Sequence, residues 1–280
     1  MKYLIVANGI ITVDHHLLKL TREADVVVCA DGGTRHLQRI NVVPDVVIGD
    51  MDSIGENIEH QFNNHINHLS QKSAHSIKKK KFNHNINSLN VKNTQSINNK
   101  TTFIKYPERK DFSDTELAVM WAIDQGASYI TLTGVTGTRM DHTLSNIFLL
   151  RSIEQKGVKC RIIDDHNEIF LLSHDSPIGE FIYDADRTQL SEQSKDASHV
   201  DEQYAESTRS IYVNGKPGEL LSIISVTEEI RGITLKGLEY PLDDATLTFG
   251  SSKGISNVFN TETAHISLKY GILLITKSFD

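Results

Sequence analysis

Short β-branched runs alternate with polar, helix-like stretches through the first half of the chain. YLIVA (3–7), DVVVCA (25–30) and PDVVIGD (44–50) have the near-continuous apolar character of strands buried on both faces. A polar helical segment near 14–22 and DGGTRHLQRI (31–40), a glycine turn feeding a helix, lie between them. This β–α–β–α–β order predicts an open parallel sheet with helices on its faces. TTFIKYP (101–107) and ASYITLTGV (127–135) add further strands. Ser113-Asp114-Thr115-Glu116 has the S-x-x-E form of a capping box and opens a helix over 114–125. Leu117, Met120 and Trp121 share that helix's buried side, and Gly126 stops it. A second helix, about 141–156, carries Leu144, Ile147, Phe148 and Leu150 and stops at Gly157, with VKCRIIDD and EIFLLS following as strands.

From Ser210 onward the helical signal is gone. LLSIISV, GITLKGL, ATLTFG, HISLKYG and ILLIT are short apolar runs separated by Gly and Asn, an antiparallel β pattern. The predicted fold class is α/β: an N-terminal parallel-sheet three-layer domain over 1–170, then a small C-terminal antiparallel β-sandwich over 171–280. Two polar tracts interrupt this plan. Residues 57–100 are rich in Asn, Lys, His and Ser without a sustained period, and are expected to be a largely disordered low-complexity insertion. Residues 184–209 are expected to form a long acidic loop.

Composition narrows the function classes. The chain has 280 residues, 39% hydrophobic and 23% charged, with a net charge of −7, so no global basic field points to nucleic acid. The run Lys78–Lys81 has no interleaved aromatics to stack bases, and it reads as a solvated tract. His60, His65, His68, His75 and His84 show no metal-ligand spacing. Cys29 and Cys160, both in apolar runs, read as buried reduced thiols of a cytoplasmic protein. No apolar stretch approaches the ~20 residues of a membrane span, and MKYLIVANGII, interrupted by Asn8 and Gly9, reads as the first strand rather than a signal peptide.

Three acidic clusters carry the candidate chemistry. Asp50 and Asp52 follow the strand ending at Ile48 and, two apart, face one side of an extended chain. Two carboxylates so placed suit Mg²⁺, which uses one or two carboxylates plus substrate phosphates. Asp111 and Asp114 lie at the start of the capped helix. Either pair alone also suits turns and first helical turns. Both, however, sit outside the carboxyl ends of strands, where open α/β sheets bind ligands. Asp31-Gly32-Gly33 forms a βα turn whose glycines let backbone amides approach a phosphate, or is simply a tight turn. Arg139, Asp141 and His142 follow a glycine loop. Arg139 suits phosphate, and Asp141 suits a helix cap, a ligand hydroxyl or the orientation of Arg139. His142 suits a phosphate contact or a plain surface position.

Taken together, Ala30–Gly33, Pro44–Ser53, Lys110–Asp114, Gly134–His142 and Gly254–Asn257 resemble, in order and spacing, the motifs of the thiamine pyrophosphokinase family. The resemblance covers nearly all of the chain outside 57–100 and 184–209. It implies transfer of pyrophosphate from ATP to the hydroxyl of thiamine, giving thiamine diphosphate and AMP, by a homodimer with active sites between subunits. It implies Mg²⁺ at Asp50 and Asp52, joined by Asp111 or Asp114, and ATP contacts at Asp31, Gly32, Gly33, Arg139, Asp141 and His142. Asp111 or Asp114 would orient or deprotonate the hydroxyl, and Tyr240, Ser256 and Asn257 would bind thiamine, with Tyr240 stacking on its ring. Ser113 stands where the family usually has Thr, Thr138 where a second Gly is common, and Val258 where an acid is frequent. The rival readings are another Mg²⁺-dependent nucleotide phosphotransferase on the same scaffold, and a thiamine or nucleotide binder without turnover.

Overall fold

Every residue of Val26–Ala30 and of Val46–Gly49 is buried, and these runs become adjacent strands of a parallel sheet. The computed structural model describes residues 1–51, 93–97, 101–108, 110–176, 180–183 and 208–279, for 93–97 and 180–183 the backbone alone. It divides into two units, Met1–Asp165 and His166–Asp280.

The described residues of the first unit form β1 (Lys2–Val6), β2 (Val26–Ala30), β3 (Val46–Gly49), β4 (Asn93–Ile97), β5 (Thr101–Lys105), β6 (Tyr129–Thr133) and β7 (Lys159–Ile163). Their spatial order is β7-β6-β1-β2-β3-β5-β4, and every neighbouring pair is parallel except β4 with β5. Its described residues also form helices α1 (Asp14–Glu23), α2 (Thr34–Arg39), α3 (Asp114–Asp124) and α4 (Met140–Gln155), with a short 3-10 turn at Asp31–Gly33.

Strand alternation sorts the core into two faces. Leu4 and Val6 of β1, Val27 and Cys29 of β2, and Val47 of β3 pack with Leu17 and Leu20 of α1 and Leu37 of α2. On the other face Tyr3 meets Trp121 of α3 edge-on, ring centroids 6.1 Å apart. Side chains buried this completely contribute about 1.5–3 kcal/mol each. Ser113 is the N-cap as predicted, its Oγ accepting the Glu116 N–H at 3.1 Å. That fixes where α3 begins.

Two features depart from the sequence pattern. In α4, of Leu144, Ile147, Phe148 and Leu150 only Leu150 is buried. Asn146, Leu149 and Ile153 share its inward side, while Met140, Leu144 and Phe148 are exposed. Apolar residues lie on two sides of this helix, so periodicity alone did not select the core face. Asn146 is tolerated inside because its Nδ2 donates to the Val135 carbonyl at 2.8 Å. Within the tract 57–100, Asn93–Ile97 forms strand β4 along β5. Its sequence, NTQSI, carries little apolar signal. Residues 57–92, 98–100 and 184–207 lie outside the described residues.

The second unit contains β8 (Asn167–Ser173), β9 (Glu180–Tyr183), β10 (Arg209–Asn214), β11 (Leu220–Ser225), β12 (Glu229–Lys236), β13 (Leu242–Thr248), β14 (Asn257–Val258), β15 (Thr263–Leu268) and β16 (Ile272–Ser278). Strands β14-β11-β16-β8 form one antiparallel layer. Strands β13-β12-β15-β10 form a second, with β9 added parallel to β10 at its edge. Inward residues of both layers share one core: Phe170, Leu221, Ile223 and Ile275 from the first, and Ile211, Leu235, Ile266 and Leu268 from the second. The fold class is the predicted one, a parallel-sheet α/β unit followed by a β-sandwich. Among the described residues no helix is long and apolar enough to cross a membrane.

Candidate active site

The chain runs outward from β1 through β2 and β3, then returns to place β6 on the other side of β1. The strand order therefore reverses between β1 and β6, and open α/β sheets bind ligands outside the carboxyl ends of strands at such a point. The loops that follow β1 and β6 meet there. Gly9 N–H donates to the Gly134 carbonyl at 2.5 Å and Ile10 N–H to the Thr136 carbonyl at 2.9 Å. Helix α2 holds the β1 loop from its other side, through Arg35 Nη2 to Asn8 O (2.8 Å), His36 Nε2 to Gly9 O (2.9 Å) and Arg39 Nη2 to Ile11 O (2.9 Å). Burial draws His36 below its ordinary pKa despite the Gly9 bond.

An acidic cluster lies at the ends of β2 and β3. Asp31 follows β2, Asp50 follows β3, and Asp114 is the first residue of α3. Lys110 Nζ joins two of them, 2.6 Å from Asp114 Oδ1 and 3.5 Å from Asp50 Oδ2, with only 12% of its side chain exposed. A Cβ on Gly49 would stand 3.0 Å from Asp31 Cβ and 3.3 Å from Asp114 Oδ1, so the missing side chain is what lets these residues converge. Burial raises the Asp114 carboxyl above its usual range. Lys110 pulls it back, and the charges of Asp31 and Asp50 push it further up. Burial pulls the Lys110 ammonium down, but Asp114 and Asp50 outweigh it, leaving the group above the ordinary lysine value. Burial is the largest influence on both groups, opposed at Lys110 by Asp114 and Asp50 and at Asp114 by Lys110.

These donors suit a hard cation. The oxygens are carboxylate, and Asp31 Oδ1 is buried without a hydrogen-bond partner among the described residues. No three acidic, His or Cys side chains among the described residues gather closely enough to enclose an ion by themselves. Mg²⁺ ordinarily keeps waters and takes one or two carboxylates with substrate phosphates, which an open cluster permits.

The predicted site residues divide as follows. Asp31, Asp50 and Asp114 come together. Asp111 is exposed in the bend before α3 and takes no part in the cluster's hydrogen bonds or ion pairs. Asp114, at the head of the capped helix, is the acid of this loop that turns toward the strand ends. Asp52 lies outside the described residues. Gly32 and Gly33 are buried in the turn after β2, and a Cβ on Gly32 would stand 2.6 Å from Asn8 Cγ. Arg139 leads into α4 and is paired with Asp141, Nη2 to Oδ2 at 2.6 Å and Nε to Oδ1 at 3.3 Å. Asp141 thus orients Arg139 rather than capping the helix, and His142 beside it is exposed. Lys110, Gly49 and Asn8 were not anticipated as site residues. Lys110 and Gly49 lie inside the motifs Lys110–Asp114 and Pro44–Ser53, and Lys110 is also four residues from Asp114, but neither was given a role.

In the second unit Tyr240 lies between β12 and β13 and is 63% exposed. Ser256 is exposed and has a left-handed backbone (φ 55°), and its N–H donates to Ser222 Oγ at 2.9 Å. Asn257 is buried, and its amide bonds both backbone polar groups of Tyr240.

Residues 17–79 and 84–162 match the family model described as thiamin pyrophosphokinase, catalytic domain, and residues 208–273 match the thiamin pyrophosphokinase, vitamin B1 binding domain. The chain belongs to the thiamin pyrophosphokinase family. The family's catalytic domain thus falls in the first unit and its B1-binding domain in the second. Membership makes the chain an enzyme with ATP and thiamine as substrates. It is 26% identical over 276 residues to thiamine pyrophosphokinase of Bacillus subtilis (strain 168), covering 99% of this chain and 98% of that one. The crystal structure of the Bacillus subtilis thiamine pyrophosphokinase superposes with a TM-score of 0.66 at 24% identity, with all of both chains covered. That of the Enterococcus faecalis family protein superposes with 0.66 at 21%, again with all of both chains covered. Thiamin pyrophosphokinase from Candida albicans superposes with 0.65 at 15%, covering 100% of this chain and 90% of that one. At these identities the superpositions speak for the fold.

Proposed function

We propose that this chain transfers the pyrophosphoryl group of ATP to the hydroxyl of thiamine at the acidic cluster of Asp31, Asp50 and Asp114, releasing AMP. The observation that carries the reading is this cluster, three carboxylates at the carboxyl ends of β2 and β3 with Lys110 joining two of them, inside the family's catalytic domain. Asp50, Asp114 and the open oxygen of Asp31, together with Asp52, would hold Mg²⁺, which when bound neutralises phosphate charge and polarises the leaving oxygen.

The chain's own residues do the rest by position and charge, as phosphoryl transfers generally require. Arg139, aimed by Asp141, offers a planar fork to the phosphate chain. Lys110 supplies a second positive charge at the strand ends. Gly32 and Gly33 let the turn after β2 pack closely against Asn8 and the Val6 carbonyl, which sets Asp31 at the strand end. The thiamine oxygen forms a bond to the β-phosphorus as the bond from that phosphorus to the α,β-bridging oxygen breaks. AMP departs with the electron pair, and a cluster carboxylate takes the hydroxyl proton. In the second unit Tyr240 offers a ring face to the flat, cationic thiamine, and Ser256 offers a hydroxyl. The reading includes a cytoplasmic homodimer, and sedimentation at micromolar concentration checks its oligomeric state.

The test is product analysis with purified protein, ATP, Mg²⁺ and thiamine. AMP and thiamine diphosphate should appear one for one, and only when thiamine is present. Formation of ADP, or AMP release without thiamine, would contradict the assignment.

A further inference from the structure

Residues Gly237–Tyr240 run antiparallel to Asn257–Asn260 in the second unit. Asn260 N–H donates to the Gly237 carbonyl at 3.0 Å, Leu238 bridges Phe259, and Glu239 N–H donates to the Val258 carbonyl at 2.9 Å. These backbone bonds recur at every second residue, so the ladder passes over Tyr240, and Asn257 pairs with Leu221 of β11 on its other edge. At Tyr240 the side chain of Asn257 makes the contact. Its Oδ1 accepts the Tyr240 N–H at 2.9 Å and its Nδ2 donates to the Tyr240 carbonyl at 2.8 Å. Oδ1 also accepts the Val258 N–H at 3.0 Å. A primary amide presents the same donor and acceptor as a peptide group, so it bonds both backbone polar groups of Tyr240. Pro241 follows, lacks an N–H, and restricts Tyr240 to extended backbone.

The result is an asymmetry. Asn257 is 1% exposed, with both ends of its amide committed, while the ring it supports is open to solvent. An exposed ring adds little to the core, so packing does not require a buried amide beneath it. Fixing such a ring in advance removes the ordering cost that binding would otherwise carry. The left-handed backbone at Ser256 separates the two motif residues, leaving Ser256 exposed and Asn257 buried.

We propose that Asn257 is a positioning residue that holds Tyr240 ready for the substrate's flat ring and does not itself touch thiamine. This rests on the reading of Tyr240 as the stacking residue. The experiment is a four-protein cycle of wild type, Tyr240→Ala, Asn257→Ala and the double variant, with KM measured separately for thiamine and ATP. Tyr240→Ala should raise the thiamine KM about three- to tenfold, the range of an aromatic contact. Asn257→Ala should raise it comparably and leave the ATP KM alone. In the Tyr240→Ala background, Asn257→Ala should add less than about twofold, because the group it positions is gone. A double variant showing the product of the two separate factors would mean that Asn257 meets thiamine directly, and it overturns the proposal. If Asn257→Ala yields no folded protein, Asn257→Asp serves in the same cycle, since it keeps the Oδ1 acceptor and sets an oxygen against the Tyr240 carbonyl. An unchanged thiamine KM in Tyr240→Ala alone rejects the stacking reading itself, an outcome distinct from failure of the clamp.

Discussion

Replacing Lys110 with Met separates the cluster's charge from its packing. Methionine keeps most of the aliphatic stem and removes the ammonium that lies 2.6 Å from Asp114 and 3.5 Å from Asp50. The pair is neither a surface ion pair, for which about 0–1 kcal/mol is typical, nor fully buried, where losing one partner costs about 3–5 kcal/mol. Lys110 is 12% exposed and Asp114 26%, and a charge-assisted hydrogen bond of this kind is worth about 1.5–3 kcal/mol. A loss of about 2 kcal/mol is therefore expected. In a unit of this size that lowers Tm by about 4–8 °C. The assay is thermal unfolding followed by calorimetry, with and without saturating Mg²⁺ and no nucleotide. Mg²⁺ should restore most of the loss in Lys110→Met, because the carboxylates left facing one another then share the added cation. Turnover should also fall. A variant that melts with wild type, or one whose deficit Mg²⁺ does not touch, would refute the idea that Lys110 balances this acidic group.

Other substitutions probe neighbouring parts of the same account. Gly49→Ala places a methyl group 3.0 Å from Asp31 Cβ and 3.3 Å from Asp114 Oδ1 and should cost about 1–3 kcal/mol by overpacking. Its turnover should drop with little change in the thiamine KM; wild-type kinetics would show that the acids do not depend on the close approach. Arg139→Ala removes an exposed ion pair, so the melting temperature should stay at the wild-type value while the ATP KM rises. An unaltered ATP KM would remove Arg139 from the phosphate site. Asp165 accepts Thr12 N–H at 2.6 Å and Val13 N–H at 3.2 Å, ahead of α1. Burial raises its carboxyl, but these bonds and the Thr12 hydroxyl outweigh that and hold it below the usual range. A lowered folded pKa gives stability that is present above the unfolded carboxylate value and lost as pH falls through the folded one. Asp165→Ala should therefore cost about 1–2 kcal/mol near neutral pH, and the gap to wild type should close in acid. A gap that persists at low pH would contradict the assignment.

The sequence was most legible where a local pattern has one physical solution. The runs at 26–30 and 46–49 could only be buried strands, and Ser113 with Glu116 could only mark a helix start. Acids directly after such strands were therefore placed correctly at the sheet's rim. Choices among near-equivalent neighbours were not legible. Asp111 and Asp114 are three apart, and only the position of α3 decides that Asp114 turns inward. Motif order placed Ser256 and Asn257 side by side, but the positive φ at Ser256 leaves one exposed and the other buried. Apolar residues on two sides of α4 hid its core face, and β4, made of NTQSI, is specified by backbone pairing that leaves no mark on hydropathy.

The most direct test of the central claim is the kcat of Asp50→Asn at saturating Mg²⁺, ATP and thiamine. The substitution keeps shape and removes one charge from the cluster proposed to hold Mg²⁺, and about a hundredfold loss or more is expected, the scale of losing a transition-state charge partner. Turnover near the wild-type value, in a variant that folds normally, would place the chemistry somewhere other than the ends of β2 and β3.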